Sequence, residues 1–307
     1  MLVIGSRGSA LALWQARWVK DRLEALGESC RIEIIRTTGD KIQDVPLAKV
    51  GAKGLFTKEI EEALLAGTID VAVHSLKDLP TELPKGLTLA AVPEREDPRD
   101  AILGRSLSEL PPGARVGTSS LRRAAQLRAI RPDLEIETIR GNVDTRVRKL
   151  DEGRYDAVVL ASAGLRRLGL ADRIVQWFDP AEMCPAVGQG ALAVETRDDG
   201  GPGYQACARL DHAETRAAIT AERAVLGTLG GGCQVPIGAY AVVRGGRLHL
   251  RGLVTSPDGA TMVKREAEGS AEDAAAIGRA LAEDLLSGGG REILKAAEGT
   301  AVSEPGL

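Results

Sequence analysis

The 307-residue sequence predicts an α/β protein whose last third changes to an α+β arrangement. Short β-rich runs alternate with helical patterns over residues 2–76, and the same alternation restarts over residues 114–162. This order is typical of βαβ units, which build mostly parallel sheets. A link rich in proline and charge, residues 92–100, lies between the two runs and indicates a hinge.

The individual elements follow from apolar periodicity and turn residues. The first helix is expected to place Leu11, Trp14, Trp18 and Leu26 on one face, and a lone strand at 191–197 is expected to return to the first sheet. The other expected strands lie at 2–5, 31–38, 69–76, 114–117, 134–141 and 155–162, and the expected helices at 9–26, 57–67, 120–130 and 143–153.

The pattern changes after residue 212. A long helix at 213–229 precedes three strands within 238–269, which are joined by "GG" and "SPDG" turns, and helices follow near 271–286 and 291–297. We therefore predict three domains: lobe 1 from residues 1–93 and 191–209, lobe 2 from residues 98–185, and a C-terminal α+β domain from residues 213–307.

Composition excludes several classes of function. The net charge is -3 and the aromatic fraction is 3%, which argues against a nucleic-acid partner and against stacking platforms for bases. The four cysteines form no CxxC pair and the three histidines lie far apart, so no metal site is predicted. With no signal peptide pattern and no apolar run of about 18 residues, we expect a cytoplasmic protein without membrane contact.

Two stretches indicate anion sites at helix starts. "VIGSRGSALA" and "RVGTSSLRRA" both run from a strand through glycine and hydroxyl residues into a helix, where backbone N–H groups and the helix dipole favour an anion. Ser9 and Ser120 are equally compatible with plain N-caps.

Residues 115–149 carry nine Arg and Lys against four Asp and Glu. Arg122 and Arg123 lie in the first turn of a helix, where positive charge opposes the dipole and a bound anion would relieve the conflict. Arg140 ends a strand, where α/β sheets place ligands. The window has no Phe, Tyr or Trp, and arginine pairs well with carboxylate or phosphate, which favours a small polyanionic ligand. A solvated helix face is the alternative for the remaining arginines.

The stretch "VAVHSLKDLP" ends a buried strand in Ser75, Lys77 and Asp78. An ionised aspartate among cations suits the electrostatic stabilisation of a transient cation, and a simple turn residue is the alternative. The Gly- and Lys-rich composition of residues 37–59 predicts a lid that carries Lys49 and Lys53.

Cys233 lies in the glycine-rich turn "LGTLGGGCQVPIG". It has no cysteine or histidine at zinc spacing. Its place after a helix C-terminus disfavours a thiolate, so an anchor is more plausible than a turnover nucleophile.

Eight ordered stretches together resemble the porphobilinogen deaminase family, also called hydroxymethylbilane synthases, over about residues 3–242. They are "GSRGSALALWQA", "KVGAKGLFTKE", "VAVHSLKDLPT", "VGTSSLRRAAQL", "IRGNVDTRVRKL", "ASAGLRRLG", "PAVGQGALAVE" and "GGGCQVPIGAYA". The resemblance implies two doubly wound α/β lobes similar to the halves of a type II periplasmic binding protein, plus a small α+β C-terminal domain. It implies a cytoplasmic monomeric transferase that joins four porphobilinogens head to tail, loses ammonia at each step and releases hydroxymethylbilane.

The resemblance also implies the roles of individual residues. Cys233 would carry a dipyrromethane cofactor through a thioether, and Asp78 would stabilise the cationic azafulvene and the protonated pyrrole. The implied cofactor and substrate ligands are Arg7, Ser9, Gln15, Lys49, Lys53, Phe56, Ser75, Lys77, Thr118, Ser119, Ser120, Arg122, Arg123, Arg140, Asn142, Arg146, Arg167 and Gln189. Of these, Gln15, Phe56, Asn142 and Gln189 would line the cleft.

Two other classes of function remain open at the level of sequence. One is a two-lobed anion-binding or sensing protein, which needs neither the Cys233 turn nor the third domain. The other is a cysteine-nucleophile hydrolase, for which the sequence indicates no histidine base. The intact mass separates all three, because a covalent dipyrromethane adds two pyrrole units.

Overall fold

Three β-sheets organise the chain in a computed structural model that describes residues 1–41, 56–230 and 236–302. Two sheets of five strands form two α/β lobes, and a sheet of three strands forms a small C-terminal domain. The fold class predicted from the sequence is therefore confirmed. The exact domain limits given above stay a prediction. Within the described ranges, no helix has the length and apolar character that a bilayer crossing requires.

The lobe 1 sheet has the strand order β2-β1-β3-β10-β4. Its first three strands are parallel, and β10 inserts antiparallel between β3 and β4, which confirms the predicted return of the lone strand. Its elements are β1 (Leu2–Ser6), α1 (Ala10–Ala25), β2 (Cys30–Ile34), α2 (Thr38–Lys41), α3 (Lys58–Leu65), β3 (Val71–Ser75), the 3-10 turn Leu76–Asp78, β4 (Leu87–Ala91), β10 (Leu192–Arg197) and α7 (Pro202–Ala208).

The lobe 2 sheet repeats this plan with the order β7-β6-β8-β5-β9. Three parallel strands are again followed by an antiparallel one, β5, which pairs with β8 and β9. Its elements are β5 (Asp100–Gly104), β6 (Arg115–Gly117), α4 (Leu121–Ile130), β7 (Glu135–Glu137), α5 (Val143–Asp151), β8 (Ala157–Ala161), α6 (Ser162–Arg167), the 3-10 turn Ala171–Arg173 and β9 (Ile174–Trp177).

Two crossing segments join the lobes. Residues 92–99 lead from β4 to β5, and residues 178–191 lead from β9 to β10. The antiparallel strand of each sheet therefore follows a segment that arrives from the other lobe. The first crossing segment coincides with the hinge predicted from the sequence.

The C-terminal domain packs helices against an antiparallel meander. Two helices, α8 and α9, pack against each other and against the sheet, with Val225, Leu250 and Leu281 among the buried residues. Its elements are α8 (Ala213–Thr228), β11 (Ile237–Arg244), β12 (Arg247–Thr255), β13 (Met262–Ser270), the 3-10 turn Ala271–Asp273, α9 (Ala274–Leu285), the π-type turn Leu286–Gly290 and α10 (Arg291–Val302).

The apolar residues predicted to share one face of α1 are not its buried residues. Gln15, Ala16, Val19 and Leu23 are its buried residues, whereas Leu26 is 42% exposed. The apolar pattern did not identify the buried residues because α1 faces two surfaces. Its buried residues pack on the lobe 1 sheet, while Trp14 faces Arg167 of lobe 2, with 5.8 Å between the guanidinium carbon and the ring centre.

A close contact between α8 and α9 yields a test of the C-terminal packing. A Cβ atom at Gly278 would lie 2.3 Å from the backbone oxygen of Ala221, which cannot move aside as a flexible side chain could. We expect Gly278→Ala to lower the free energy of unfolding by about 1–3 kcal/mol. Gly227→Ala is the matched control, because nothing lies within 4 Å of its Cβ position, and it should stabilise the domain by about 0.5–1 kcal/mol. Urea denaturation of both variants measures the difference, and equal effects would contradict the packing argument.

Candidate active site

A short 3-10 turn presents Asp78 at the end of the buried strand β3. Leu76 is 1% exposed and anchors the turn, its N–H donating to the oxygen of Ala191 at 3.0 Å. The N–H of Leu79 closes the turn by donating to the oxygen of Leu76 at 3.1 Å. The side chains of Lys77 and Asp78 are exposed. The apolar ends of the turn thus hold a carboxylate outward at the carboxyl end of a central strand, where α/β sheets place their chemistry.

The second crossing segment supports this turn from behind. Gly188 has a φ of +71°, and a Cβ atom there would lie 2.3 Å from Cδ2 of Leu76. Glycine is required here by both the left-handed backbone and the close approach. The N–H of Gly188 donates to Oε2 of Glu222 at 2.7 Å, so the loop behind the turn is fixed to α8.

The charge of Asp78 acts on cations from both lobes. We call Lys77, Arg123, Arg140 and Arg146 the cation cluster. Desolvation, together with the charges of Arg123 and Arg140, lowers the pKa of Arg146 to about 10, and Asp78 opposes this shift. The Arg146 Nε donates to the oxygen of Gly141 at 2.8 Å, and within the described residues no carboxylate lies in ion-pair distance of its guanidinium.

The pKa of Lys77 depends on the same surroundings. Desolvation lowers its pKa, Asp78 raises it, and Arg123 lowers it further, although the side chain keeps contact with water. Among the groups whose charges act on Lys77 and Arg146, the cations therefore outnumber the carboxylates of Asp78 and Asp100. This arrangement can hold a ligand with several negative charges and can stabilise a cation beside Asp78.

Asp100 is a buried carboxylate that the sequence argument missed. It is fully buried and accepts hydrogen bonds from Nη1 of Arg122 at 2.7 Å, from Nε of Arg123 at 2.8 Å and from Nε2 of Gln189 at 2.9 Å. Burial alone would raise its pKa, but the two guanidinium groups hold the pKa well below its usual range.

Asp100 corrects two inferences made from the sequence. The first-turn arginines of α4 were expected to need a bound anion, and Asp100 supplies that negative charge from within the protein. Gln189 was expected to line the cleft, yet it is 0% exposed and completes the shell of Asp100. The count of charged residues covered only residues 115–149. It therefore left out Asp100, which lies earlier in the chain, in the hinge stretch "EDPRD".

Arg122 and Arg123 are both largely engaged within the protein, and both are 5% exposed. Arg122 also donates to the oxygen of Cys184 at 2.6 Å, and Arg123 donates through Nη2 to Oε1 of Gln189 at 3.2 Å. The charges of both act on Lys77, and that of Arg123 also acts on Arg146. Their roles as direct ligands stay a prediction.

The hydroxyl groups at the two helix starts are engaged locally. Ser9 accepts from the N–H of Ala12 at 3.3 Å, and Ser120 accepts from the N–H of Arg123 at 3.4 Å, so both serines act as N-caps. Ser119 donates to the oxygen of Ile139, and Thr118 accepts from the N–H of Ser120 at 3.2 Å. These bonds fix the turn before α4.

The remaining predicted ligands lie on both lobes. The guanidinium of Arg7 stacks on the ring of Phe56 at 4.2 Å, and Gln15 donates to Oγ of Ser75 at 2.8 Å. Arg167 donates to the oxygen of Gly190 at 2.6 Å, and desolvation lowers its pKa to about 10. Asn142 occupies the N-cap position of α5 with an exposed side chain. Lys49, Lys53 and Cys233 lie outside the described residues.

Arg95 and Glu222 join the hinge to the C-terminal domain, and sequence reasoning missed both. Glu222 is fully buried and accepts from Nη1 of Arg95 at 2.6 Å and from the N–H of Ala241 at 2.8 Å. Arg95 also donates through Nε to the oxygen of Gln189 at 2.8 Å. The two crossing segments and the third domain therefore meet at one ion pair. No sequence pattern marks it, because the partners are separated by 127 positions.

Fold and site define a two-lobed α/β protein that surrounds a carboxylate with cations. The family model described as "Porphobilinogen deaminase, dipyromethane cofactor binding domain" matches residues 2–201, and that described as "Porphobilinogen deaminase, C-terminal domain" matches residues 216–287. The chain belongs to the porphobilinogen deaminase family.

Curated relatives agree with this assignment. A porphobilinogen deaminase of Pelobacter propionicus is 55% identical over 298 residues, which cover 96% of each chain, and one of Syntrophobacter fumaroxidans is 53% identical over 95% of this chain and 96% of its own. Among solved structures, a periplasmic substrate-binding protein from Coxiella burnetii aligns with a TM-score of 0.45 at 14% identity, over 68% of this chain and 91% of its own. That likeness is too distant to carry an argument.

The resemblance stated from the sequence is thus confirmed. The chain is a transferase of tetrapyrrole biosynthesis that binds a dipyrromethane cofactor and acts on porphobilinogen to form hydroxymethylbilane. Membership in an enzyme family is evidence against the sensing protein and the cysteine hydrolase.

The ion pairs of Asp100 with Arg122 and Arg123 allow a test of how much this buried carboxylate stabilises the protein. Asp100→Asn leaves two buried guanidinium groups without their carboxylate, and it should lower the free energy of unfolding at pH 7 by about 3 kcal/mol or more. Because the folded pKa of Asp100 lies below the unfolded value of about 3.9, its stabilisation is complete above that value and is lost as pH falls toward the folded pKa. The difference between wild type and variant should therefore be constant above about pH 5 and shrink below about pH 4.

Denaturant unfolding across this pH range provides the measurement. Asp133→Asn is the control, because Asp133 pairs with Arg131 at the surface and its loss should change stability much less. A difference for Asp100→Asn that stays constant down to pH 2 would contradict the assignment.

Proposed function

We propose that Cys233 carries the dipyrromethane through a thioether and that Asp78 is the catalytic carboxylate of the polymerisation. The observation that carries the proposal is the position of Asp78, exposed at the end of β3 and within the electrostatic reach of Lys77, Arg123 and Arg146. A transferase that releases ammonia and joins pyrroles needs both a carboxylate for transient cations and cations for the carboxylates of its ligand.

The residues present fit a dipyrromethane, whose two rings each bear an acetate and a propionate. Desolvation contributes most to the lowered pKa of Arg146, and repulsion from Arg123 and Arg140 lowers it further. Ligand carboxylates would offset this repulsion through charge-assisted hydrogen bonds. Lys77, Arg140 and Arg146 are the cluster members that are exposed or half-buried, and so they are the ones that a ligand reaches most directly.

The other cysteines make poor attachment points. Cys30, Cys184 and Cys207 are buried, and desolvation raises the pKa of Cys184 and of Cys207 to about 12. Burial likewise raises the pKa of Cys30. Since the thiolate is the reactive form of cysteine, these three side chains are held in the inert form. This supports Cys233, five positions after the end of α8, as the attachment point.

When bound, the dipyrromethane supplies a nucleophilic pyrrole carbon for chain growth. The protein's own residues then bind, orient and stabilise. Asp78 stabilises positive charge as it develops on the incoming pyrrole, because its carboxylate is held in place before the reaction. Arg7, Arg140, Arg146 and Arg167 hold ligand carboxylates, and the Arg7 guanidinium is oriented by the Phe56 ring.

Several finer assignments complete the proposal. Lys49 and Lys53 contribute positive charge from the lid, Ser75 and Gln15 form one edge of the site, and the hydroxyl groups of the α4 turn fix the backbone donors there. A cytoplasmic monomer that binds neither nucleic acid nor a membrane stays a prediction.

Intact mass spectrometry tests the attachment point. The purified wild-type protein should exceed its sequence mass by two pyrrole units, and Cys233→Ala should have the bare sequence mass and no activity. Cys30→Ala is the matched control, and it should keep the added mass because Cys30 is a buried thiol with a raised pKa. Finding the adduct on any other cysteine would refute the assignment.

Asp78→Asn tests the carboxylate. The amide keeps the shape and removes the charge, so turnover should fall about a hundredfold or more, which corresponds to about 3 kcal/mol of transition-state stabilisation. The added mass should remain. Glu82→Gln removes an exposed acid four positions further along the same loop, and its turnover should stay within about twofold of wild type. A near wild-type rate for Asp78→Asn would leave Asp78 as a turn residue only.

A further inference from the structure

Two adjacent residues of α8 support the two sides of the Asp78 turn, Glu222 through Gly188 and Arg223 by direct hydrogen bonds. Glu222 fixes Gly188, which lies against Leu76 at the start of the turn. Arg223 donates through Nη2 to the oxygen of Pro80 at 2.7 Å and to the oxygen of Thr81 at 2.8 Å, immediately after the turn. The helix that leads toward the Cys233 turn therefore also holds both flanks of the segment that carries Asp78.

The contact made by Arg223 fixes the part of the loop with the least regular structure. The start of the turn is held by β3 and by the bond from Leu76 to Ala191. Beyond Leu79 the chain has no helix or strand until Leu87, and Pro80 has no N–H to donate. The two carbonyl groups that Arg223 binds are thus a main attachment of this loop to the rest of the molecule.

The guanidinium of Arg223 is half-buried. Desolvation lowers its pKa, and the charge of Glu195 opposes this shift. Glu195 is fully buried and its Oε2 lies 3.1 Å from Nε2 of His74, which is on β3 four positions before Asp78. Arg223 therefore interacts electrostatically with a carboxylate that contacts the strand entering the turn, and it donates directly to the loop that leaves the turn.

We propose that Arg223 is a positioning residue for Asp78: it fixes the loop after the turn to α8 and so holds the catalytic carboxylate in place relative to that helix. This proposal rests on the role proposed above for Asp78. The alternative is that Arg223 merely attaches the C-terminal domain to lobe 1.

The same helix offers a matched control for that alternative. Arg216 donates through Nη2 to the oxygens of Leu89 and Ala90 at 3.1 and 3.2 Å, so it also joins α8 to backbone carbonyls of lobe 1. Those carbonyls lie on β4, however, and not beside the Asp78 turn. Arg216→Met removes these backbone contacts together with an ion pair between Nε and Oδ2 of Asp211 at 2.6 Å, so it removes more of the attachment of α8 than Arg223→Met does, yet only Arg223 bears on Asp78.

A double-mutant cycle on the holoenzyme tests the proposal. Arg223→Met, Arg223→Lys and Arg216→Met are made in the wild type and in Asp78→Asn, and intact mass confirms the bound cofactor. The rate of the first porphobilinogen addition is then measured at saturating substrate. Arg223→Met should lower this rate about tenfold to a hundredfold, since a displacement of about 1 Å at a reacting group has effects of that size. Arg223→Lys should recover part of the loss, and Arg216→Met should stay within about twofold.

The decisive comparison is made in the Asp78→Asn background. If Arg223 acts through the carboxylate, Arg223→Met should cost less than about threefold there, because the two losses are not additive. An equal loss in both backgrounds, or an equal loss from Arg216→Met, would overturn the proposal. A high rate in Asp78→Asn alone would instead refute the role of Asp78, so the two failures are distinguishable.

Hydrogen exchange gives a second readout that does not depend on turnover. Amides of residues 76–83 should exchange faster in Arg223→Met than in wild type and Arg216→Met, because the loop loses its attachment to α8. If Arg223→Met does not accumulate as holoenzyme, Arg223→Lys is carried through the same cycle with a smaller expected effect. Unchanged exchange in residues 76–83 would contradict the positioning role even if the rate falls.

Discussion

The buried ion pair between Glu222 and Arg95 is the contact on which the arrangement of the three domains depends. Glu222 accepts hydrogen bonds from the first crossing segment through Arg95, from the second through Gly188, and from the C-terminal sheet through Ala241. Breaking a buried ion pair by removing one partner leaves an uncompensated charge, which costs far more than the loss of a surface pair. The C-terminal domain is therefore fixed to both connections between the lobes.

The cations of the site fall into two groups that serve different purposes. Arg122 and much of Arg123 are neutralised within the protein by Asp100, and they hold the start of α4 against β5. Arg146, by contrast, has its charge desolvated beside other cations and opposed mainly by Asp78. The first group stabilises the contact between α4 and β5, and the second leaves positive potential for the carboxylates of a growing pyrrole chain. Counting arginines in the sequence does not separate these groups, because the neutralising acid lies in another element.

Sequence reasoning succeeded where the information was local. Periodicity and turn residues predict the alternation of strands and helices, the return of the lone strand and the C-terminal meander. The structure confirms all three. It failed for β4, β5 and β9, because short strands that follow proline or charged stretches have no distinctive period. It also missed Asp100, Glu222 and Arg223, whose partners lie far away in the chain. Asp78 was singled out by a local signal, the end of a buried strand, but its catalytic role was implied only by the family resemblance and stays a prediction.

The return of β10 to the lobe 1 sheet has a consequence for the order in which the chain acquires its structure during synthesis. Lobe 2 takes its five strands from one continuous stretch, Asp100 to Trp177, and can complete its sheet as soon as that stretch has left the ribosome. Lobe 1 cannot, because β10 pairs between β3 and β4 and ends only at Arg197. Until then β3 and β4 lack their shared neighbour and expose unpaired strand edges, which are prone to wrong association. The N-terminal lobe is thus the later of the two to close, and for about a hundred residues of synthesis it is the part of the nascent chain most in need of protection.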